Sequence, residues 1–247
     1  MLWRSIFRSE RFTVLNVFGL AVGFVSFIAI IIYVNNEYSY DRFNKKFKRI
    51  YRVNTDTKFG DKETKQAIAA APMSSLLLKA YPEIENAVRI LPGEARLNIS
   101  QQVILEEKLA YCDGSIFDIF TLPFLYGNPK TALTEPNSVV LTESAAIKYF
   151  GKKNVLGNHI EFIEDSLTVA KTITGVMRDV PNESHFDFEV FGTLVDVPLS
   201  HNNNPASLFP FSTYLLLKNS REAGKLESKF PLLLKKYLPI GEIEKSG

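Results

Sequence analysis

The sequence has little of the chemistry that builds disulfides and metal sites. Cys112 is the only cysteine among 247 residues, so no internal disulfide can form. The cysteine count therefore indicates neither an oxidising nor a reducing compartment. The three histidines, His159, His185 and His201, lie far apart, and no Cys or His cluster has the spacing of zinc ligands. We therefore predict no metal and no cofactor.

The common catalytic motifs are absent as well. Because the chain has no GxxxxGK[ST] segment, we expect no ATP binding through a phosphate loop. It also has no GxSxG, HExxH or CxxC motif. Ser184 and His185 are adjacent, so their side chains would diverge in a strand. A net charge of +2 argues against strong nucleic-acid binding. Of the classes considered, an enzyme is the least favoured.

Only one long apolar run is present, from Phe12 to Val34, and its 23 residues carry no charge. A bilayer core of about 30 Å needs about 20 apolar residues in a helix. The run therefore predicts a retained transmembrane helix over 12–34. A cleaved signal peptide is the alternative, but residues 35–40 are bulky and offer no small-residue cleavage site. A buried core helix is the weaker alternative.

One side of this predicted helix carries small and polar residues. Asn16, Gly19, Gly23 and Ser26 follow one another at spacings of three, four and three, which places them on one face. Gly19 and Gly23 form a GxxxG motif, which lets a second helix approach closely. We predict that this face packs against a helix from a continuation of the chain or from another subunit.

The charges on the two sides of the run give opposite indications of orientation. Arg4, Arg8 and Arg11 precede it and indicate a cytoplasmic N-terminus. Six basic residues follow it and indicate the reverse: Arg42, Lys45, Lys46, Lys48, Arg49 and Arg52. Since long domains are translocated largely regardless of charge, the charges alone do not fix the orientation.

The rest of the chain has the composition of a folded domain, because the whole sequence is 46% hydrophobic and 12% aromatic. Many short strands with three or four helices, and no strict βαβ repeat, predict an α+β fold. The predicted organisation is a cytoplasmic segment (1–11), the span (12–34), a stalk helix (35–48), a domain (49–240) and a tail (241–247). An apolar stripe of Tyr40, Phe43 and Phe47 would dock the stalk helix.

Several individual elements are also predicted. Residues 86–112 divide into three short strands, with a break at Pro92 and Gly93. Residues 121–137 form a loop, and Phe186–Val195 a strand. Thr142 caps a helix that ends at Gly151. Ser220 caps a final helix that runs to Leu238 and bends at Pro231.

Three blocks of sequence resemble one known family. The first contains NVFGLAVG (16–23), YDRF (40–43) and RIYRV (49–53). The second contains SVVLTESA (138–145), KYFG (148–151) and Leu156-Gly157; the third contains TGV (174–176) and DVPNESHF (179–186). Their order and spacing resemble MacB-type, FtsX-like ABC transporter permeases, in the form common in Bacteroidetes. Asn44 stands where the family often has His, and Lys48 where an acidic residue is frequent.

This resemblance implies a periplasmic core domain on one inner-membrane span, in a chain that stops before the three further spans of the family. A separate cytoplasmic ABC ATPase would drive a permease dimer to export or release a substrate. The resemblance also allows a periplasmic adaptor, or an FtsX-like role in regulating cell-wall hydrolases. A membrane-anchored sensor or binding domain is the alternative. The residues expected to couple stalk and domain, or simply to pack them together, are Tyr40, Asp41, Arg42, Phe43, Arg49, Ile50, Tyr51 and Arg52.

Overall fold

The structure is a computed structural model that describes residues 10–39, 42–59, 62–99, 101–164, 167–181, 183–207 and 211–237. The chain divides into two compact units, Met1–Arg42 and Phe43–Gly247.

The first unit contains one helix, α1 (Glu10–Ser39). Within it, Thr13–Val34 is the only described segment that is long and apolar enough to cross a membrane. Its large side chains point outward; Phe18, for example, is 68% exposed. Within this unit the span is not buried, so it does not have the surroundings of a soluble core helix.

The prediction of one stalk helix through Lys48 is also wrong. Helix α1 passes the membrane segment and ends at Ser39, whereas residues 42–46 form turns and Phe47–Arg49 a single 3₁₀ turn. The physical reason lies in tertiary hydrogen bonds. The Lys45 N–H donates to Thr121 Oγ1, and the Asn44 side chain accepts the N–H of Thr121. These contacts commit the segment to partners outside a helix.

The second unit has an α+β fold built on a nine-stranded sheet. The sheet strands are β1 (Ile50–Arg52), β4 (Ile84–Ile99), β5 (Gln102–Cys112), β6 (Phe124–Gly127), β7 (Ser138–Thr142), β8 (His159–Glu164), β9 (Leu167–Met177), β10 (Val190–Thr193) and β11 (Ser212–Leu217). Their order in the sheet is β1-β11-β4-β5-β10-β7-β9-β6, and β8 pairs with β4 and β9. Most neighbours are antiparallel, but β5–β10 and β7–β9 are parallel. Strands β2 (Thr55–Phe59) and β3 (Lys62–Gln66) form a separate hairpin.

Two long strands, β4 and β5, replace the three short strands predicted for residues 86–112. Pro92 lies inside β4 because β11 pairs with residues 84–90 of that strand and β8 with residues 96–98. The missing N–H of Pro92 therefore falls between these two partners, where a proline is tolerated. The predicted break survives only as a register shift between Gly93 and Ala95.

Two other strand predictions need correction. Residues 121–137 are not all loop, since β6 pairs with β9 from Phe124 to Gly127. The strand predicted over Phe186–Val195 is shortened to β10, and Leu194–Asp196 forms a 3₁₀ turn whose N-cap is Thr193. Four-residue strands carry too little alternation to be recognised in a sequence.

The helices of this unit are α2 (Met73–Ala80), α3 (Ile116–Ile119), α4 (Glu143–Phe150), α5 (Ala223–Glu227) and α6 (Phe230–Tyr237). Both predicted ends of α4 are confirmed. At its start, Thr142 Oγ1 accepts the Ala145 N–H at 3.2 Å, and at its end Gly151 has a φ of 68°. The prediction of a single final helix is wrong. A 3₁₀ turn capped by Asn219 precedes α5 and α6, and Pro231 sits in the first turn of α6, where no N–H is required.

Apolar side chains fill both sides of the sheet. One cluster includes Ile90, Cys112, Phe120 and Phe191, and a second joins α4 to the sheet through Leu97, Phe162 and other residues. A third cluster brings together Val53, Leu77, Leu215 and Leu226. Each cluster combines residues from several separate parts of the chain, so the unit folds around long-range contacts.

Candidate functional site

The segment that opens the second unit, Phe43–Arg52, is anchored by a buried amide. Asn44 is only 1% exposed. Its Oδ1 accepts the backbone N–H of Thr121 at 2.8 Å, and the Lys45 N–H donates to Thr121 Oγ1 at 3.0 Å. This reciprocal pair fixes the start of the unit to the residue that follows the buried Phe120. We call Phe43–Arg52 the joint segment.

Two basic side chains that follow Asn44 in the sequence also fasten the joint segment. Lys46 Nζ donates to the Asp118 carbonyl at 2.6 Å. Arg49 Nη1 lies 2.6 Å from Glu85 Oε2 and also donates to the Leu217 carbonyl at 3.0 Å. Because the Arg49–Glu85 pair is about one-third exposed, its contribution to stability is modest. The main role of Arg49 is to position the segment, since its contact with Glu85 holds the segment to β4 and its contact with Leu217 holds it to β11.

Strand β1 then adds the joint segment to the sheet. It pairs with β11 in antiparallel register, with Ile50 opposite Leu216 and Arg52 opposite Tyr214. Ile50 packs on the first core cluster and Tyr51 on the third. The Tyr51 hydroxyl also donates to the Ser220 carbonyl at 3.1 Å. Alternate side chains of one short strand therefore reach two different parts of the core.

The structure describes six of the eight residues predicted to couple the stalk and the domain. Tyr40 and Asp41 lie outside the described residues. Arg42 is exposed and Phe43 half-buried. Arg49, Ile50, Tyr51 and Arg52 form the second half of the joint segment. Their predicted role in coupling stays a prediction.

One detail of the predicted docking is wrong. Phe47 does not complete an apolar stripe, because it is 39% exposed. Arg52 donates to the Ala67 carbonyl at 3.0 Å and to Ser212 Oγ at 2.9 Å, and it lies over the Tyr214 ring.

Asn44 is the residue that sequence reasoning missed. It occupies a position four residues after Tyr40 and three before Phe47, so a helical reading already placed it on the inward stripe. A polar residue at such a position predicts a buried hydrogen bond. Its partner, Thr121, is 77 residues away in sequence, and no local pattern identifies it.

A second polar cluster lies around Glu106 of β5, a buried residue with 2% exposure. Its carboxylate accepts hydrogen bonds from Lys148 Nζ at 2.9 Å, from the Tyr149 hydroxyl and from the Lys108 N–H at 2.8 Å. Burial alone would raise the pKa of Glu106, but the hydrogen bonds from Tyr149 and Lys148 outweigh it and hold that pKa below its ordinary value.

The same environment raises the pKa of Tyr149, first through burial and then through the hydrogen bond to Glu106. The Glu106 carboxylate thus stays ionised and fully partnered, and it locks α4 onto β5. Within the described ranges, no group of three or more His, Cys, Asp or Glu is placed to hold a metal ion.

The predicted packing face of α1 keeps its helical geometry. Asn16, Gly19 and Gly23 lie on the exposed surface of the helix, and a Cβ at either glycine would meet nothing within 4 Å. Ser26 Oγ donates to the Val22 carbonyl at 2.9 Å, inside the helix itself. The face is available for a second helix, and its use for packing stays a prediction.

Comparisons with known proteins agree with this architecture. The sequence profile of the MacB-like periplasmic core domain matches residues 13–229, and the chain therefore belongs to that family. This match confirms the resemblance to MacB-type ABC permeases that the three sequence blocks indicate. No curated protein matches the chain.

Two solved structures share the fold. A domain of a protein described as a permease, from Porphyromonas gingivalis, is 20% identical with a TM-score of 0.72, over 83% of this chain and 87% of that one. The periplasmic region of MacB from Actinobacillus actinomycetemcomitans is 18% identical with a TM-score of 0.52, over 76% and 84% of the two chains. At these identities the likeness concerns the fold alone.

Proposed function

We propose that the chain is the membrane-anchored extracytoplasmic part of an ABC-type permease, and that a separate ATPase moves its domain to export or release a substrate. One observation carries this proposal. The family match begins at Thr13, the first residue of the apolar segment, and continues to residue 229. The span therefore belongs to the family pattern, which favours a retained anchor over a cleaved signal peptide.

The joint segment supplies a route for mechanical coupling. It is tied to Thr121 and Asp118, to Glu85 of β4, and to β11. A displacement of its first residues would act on several core elements at once, since the contacts reach α3 and the connection after it, β4 and β11. A flexible tether would not need a buried amide such as Asn44.

The proposal includes the arrangement of the complex. The chain lies in the bacterial inner membrane with its larger unit in the periplasm. Its partners are a cytoplasmic ABC ATPase and a second permease copy, whose helix packs on the face formed by Asn16, Gly19, Gly23 and Ser26. The chain itself catalyses no reaction, and ATP is hydrolysed on the other subunit.

The test measures coupling in the permease that contains this chain, purified with its ATPase and placed in lipid nanodiscs. Phe43→Ala combined with Tyr51→Ala removes two side chains of the joint segment. A buried Phe replaced by Ala typically costs about 3–5 kcal/mol, and the half-buried Phe43 costs less. We expect ATP hydrolysis to continue while substrate export or release falls at least several-fold.

Leu97→Ala is the matched control, because Leu97 is fully buried in the second core cluster, apart from the joint segment. It lowers stability by about 2–5 kcal/mol and should leave coupling intact. Unchanged transport in a correctly inserted double variant would mean that the joint segment is only a tether. Saturable ATP binding by the chain alone, or a larger unit accessible only from the cytoplasm, would contradict the proposed function itself.

A further inference from the structure

The basic residues that follow the span are not explained by a role in transport. Between Arg42 and Arg52 the chain carries six basic residues and no acidic residue. Such a cluster works against translocation by the positive-inside rule. Arg42 belongs to the first unit, and the other five charges divide into those with described partners in the second unit and those without.

Three of the charged groups are used internally. Lys46 donates to the Asp118 carbonyl, Arg49 pairs with Glu85, and Arg52 donates to Ala67 and Ser212. Lys45 and Lys48 differ from these three. Both are exposed, and in the described part of the chain neither ammonium group lies within 4.0 Å of a carboxylate.

An exposed aromatic ring lies beside these lysines. Phe47 is 39% exposed, and Lys48 Nζ lies 5.7 Å from the centre of its ring. An apolar ring beside unpaired ammonium groups suits the headgroup region of a bilayer, where the ring meets acyl chains and the cations meet phosphates. In water alone, the exposed ring gains nothing from this placement.

Chain length keeps the two lysines close to a membrane that contains the span. Lys45 follows Val34 by eleven residues, and the first five of these belong to helix α1. At 1.5 Å per helical residue and at most about 3.5 Å for the others, the separation from Val34 cannot exceed about 30 Å for Lys45 and about 40 Å for Lys48. The lysines are therefore within reach of the headgroups of the nearer leaflet.

We propose that Lys45, Phe47 and Lys48 form a binding surface for anionic phospholipid headgroups of that leaflet. The ammonium groups contact the lipid phosphates and the Phe47 ring enters the interface. Each basic residue close to an anionic surface strengthens binding by about fivefold. The inference concerns the joint segment and the bilayer, and holds whether or not the chain takes part in transport.

The experiment uses the full chain in nanodiscs made of phosphatidylcholine alone or with about 30% phosphatidylglycerol. Exposed amines are acetylated, and mass spectrometry gives a rate for each lysine. We expect the anionic lipid to slow the reaction of Lys45 and Lys48 at least threefold at low salt. The effect should vanish at high salt because screening shortens the range of the interaction.

Lys130 and Lys152 are the internal controls, since both are exposed and lie in other loops; their rates should not change. Glycerol phosphate, added at the same phosphate concentration to phosphatidylcholine discs, should not protect Lys45 or Lys48. Protection by that soluble anion would indicate a free-phosphate site and would overturn the lipid proposal. Equal rates at Lys45 and Lys48 in the two kinds of disc would also overturn it.

A pair of variants provides a second test. In the described contacts, Lys45 and Lys48 contribute only main-chain atoms to the hydrogen bonds of the fold, through the Lys45 N–H and the Lys48 carbonyl. K45Q/K48Q should therefore stay folded while its preference for phosphatidylglycerol, measured by retained lipid in native mass spectrometry, falls about 25-fold. K130Q/K152Q removes the same charge elsewhere. An equal loss in both variants would show that net charge, and not this surface, attracts the lipid.

Discussion

Asn44→Ala tests whether one buried amide holds the joint segment in place. The side chain is 1% exposed, and its Oδ1 accepts the Thr121 N–H at 2.8 Å. Alanine removes this hydrogen bond and leaves a donor without its protein acceptor, which costs about 1–3 kcal/mol. Since folded domains have about 5–15 kcal/mol of stability in total, we expect the variant to fold with a clearly lower free energy of unfolding.

The assay is urea unfolding of a soluble fragment that begins at Phe43, combined with hydrogen exchange of single amides. The variant should exchange faster at the Thr121 amide, while amides of β7 and β9 stay protected. Asn128→Ala is the matched control. Asn128 is exposed, and its Oδ1 accepts only the nearby Lys130 N–H among the described contacts, so a change within about 0.5 kcal/mol is expected.

Asn44→His provides a rescue, because family relatives often carry His at this position and an imidazole nitrogen can accept the same N–H. Neutral histidine should restore part of the lost stability above pH 7. The gain should disappear as the ring is protonated below its ordinary pKa of about 6.5. If Asn44→Ala changed neither the unfolding free energy nor the exchange of the Thr121 amide, the Asn44 side chain would not be what holds the joint segment in place.

Two further predictions concern the core. Gly175→Ala should lower the free energy of unfolding by about 1–3 kcal/mol, because a Cβ there would overlap the Phe124 ring and lie 3.3 Å from Val140. Gly224→Ala is the control, because a Cβ at that position would meet nothing within 4 Å. In thermal melts this control should be neutral or stabilising. The fold lowers the pKa of Glu106 below its ordinary value of 4.5. The ionised carboxylate therefore contributes its full stabilisation of the fold above pH 4.5, and this stabilisation is lost as the pH falls through the lower pKa of the folded state. Tyr149→Phe should lower the free energy of unfolding by about 1.5–3 kcal/mol at pH 7, and the free energy of unfolding of this variant should fall less steeply at acidic pH. An unchanged dependence on acidic pH would contradict the role of this hydrogen bond.

Much of the fold follows from local patterns in the sequence. The span is set by 23 uncharged residues, and the Thr142 cap with Gly151 marks both ends of α4. These features depend on hydrophobicity and backbone chemistry within a few residues, which the sequence displays directly.

The errors occur where distant partners override local preference. Pro92 is normally a break, yet β4 continues past it because neighbouring strands pair on either side of that position. The stripe of residues 40, 43 and 47 predicts a helix, yet Asn44 and Lys45 bond to Thr121, and the helix ends at Ser39. Glu106 gives no local signal, since the residues that surround it, Lys148 and Tyr149, follow 42 and 43 positions later.

The contacts of the joint segment determine what kind of motion it could pass on. Its hydrogen bonds run to α3, to the connection after α3, to β4 and to the end of β11, and these partners lie 36 to 168 residues further along the chain. If only β1 were attached, a pull on the segment could peel a three-residue edge strand from β11. Asn44 and Lys46 prevent this because they attach the segment to the connection after α3 and to α3 itself before β1 begins. A force on the segment is therefore divided between two separate attachments, and the domain is expected to move as one body until both fail.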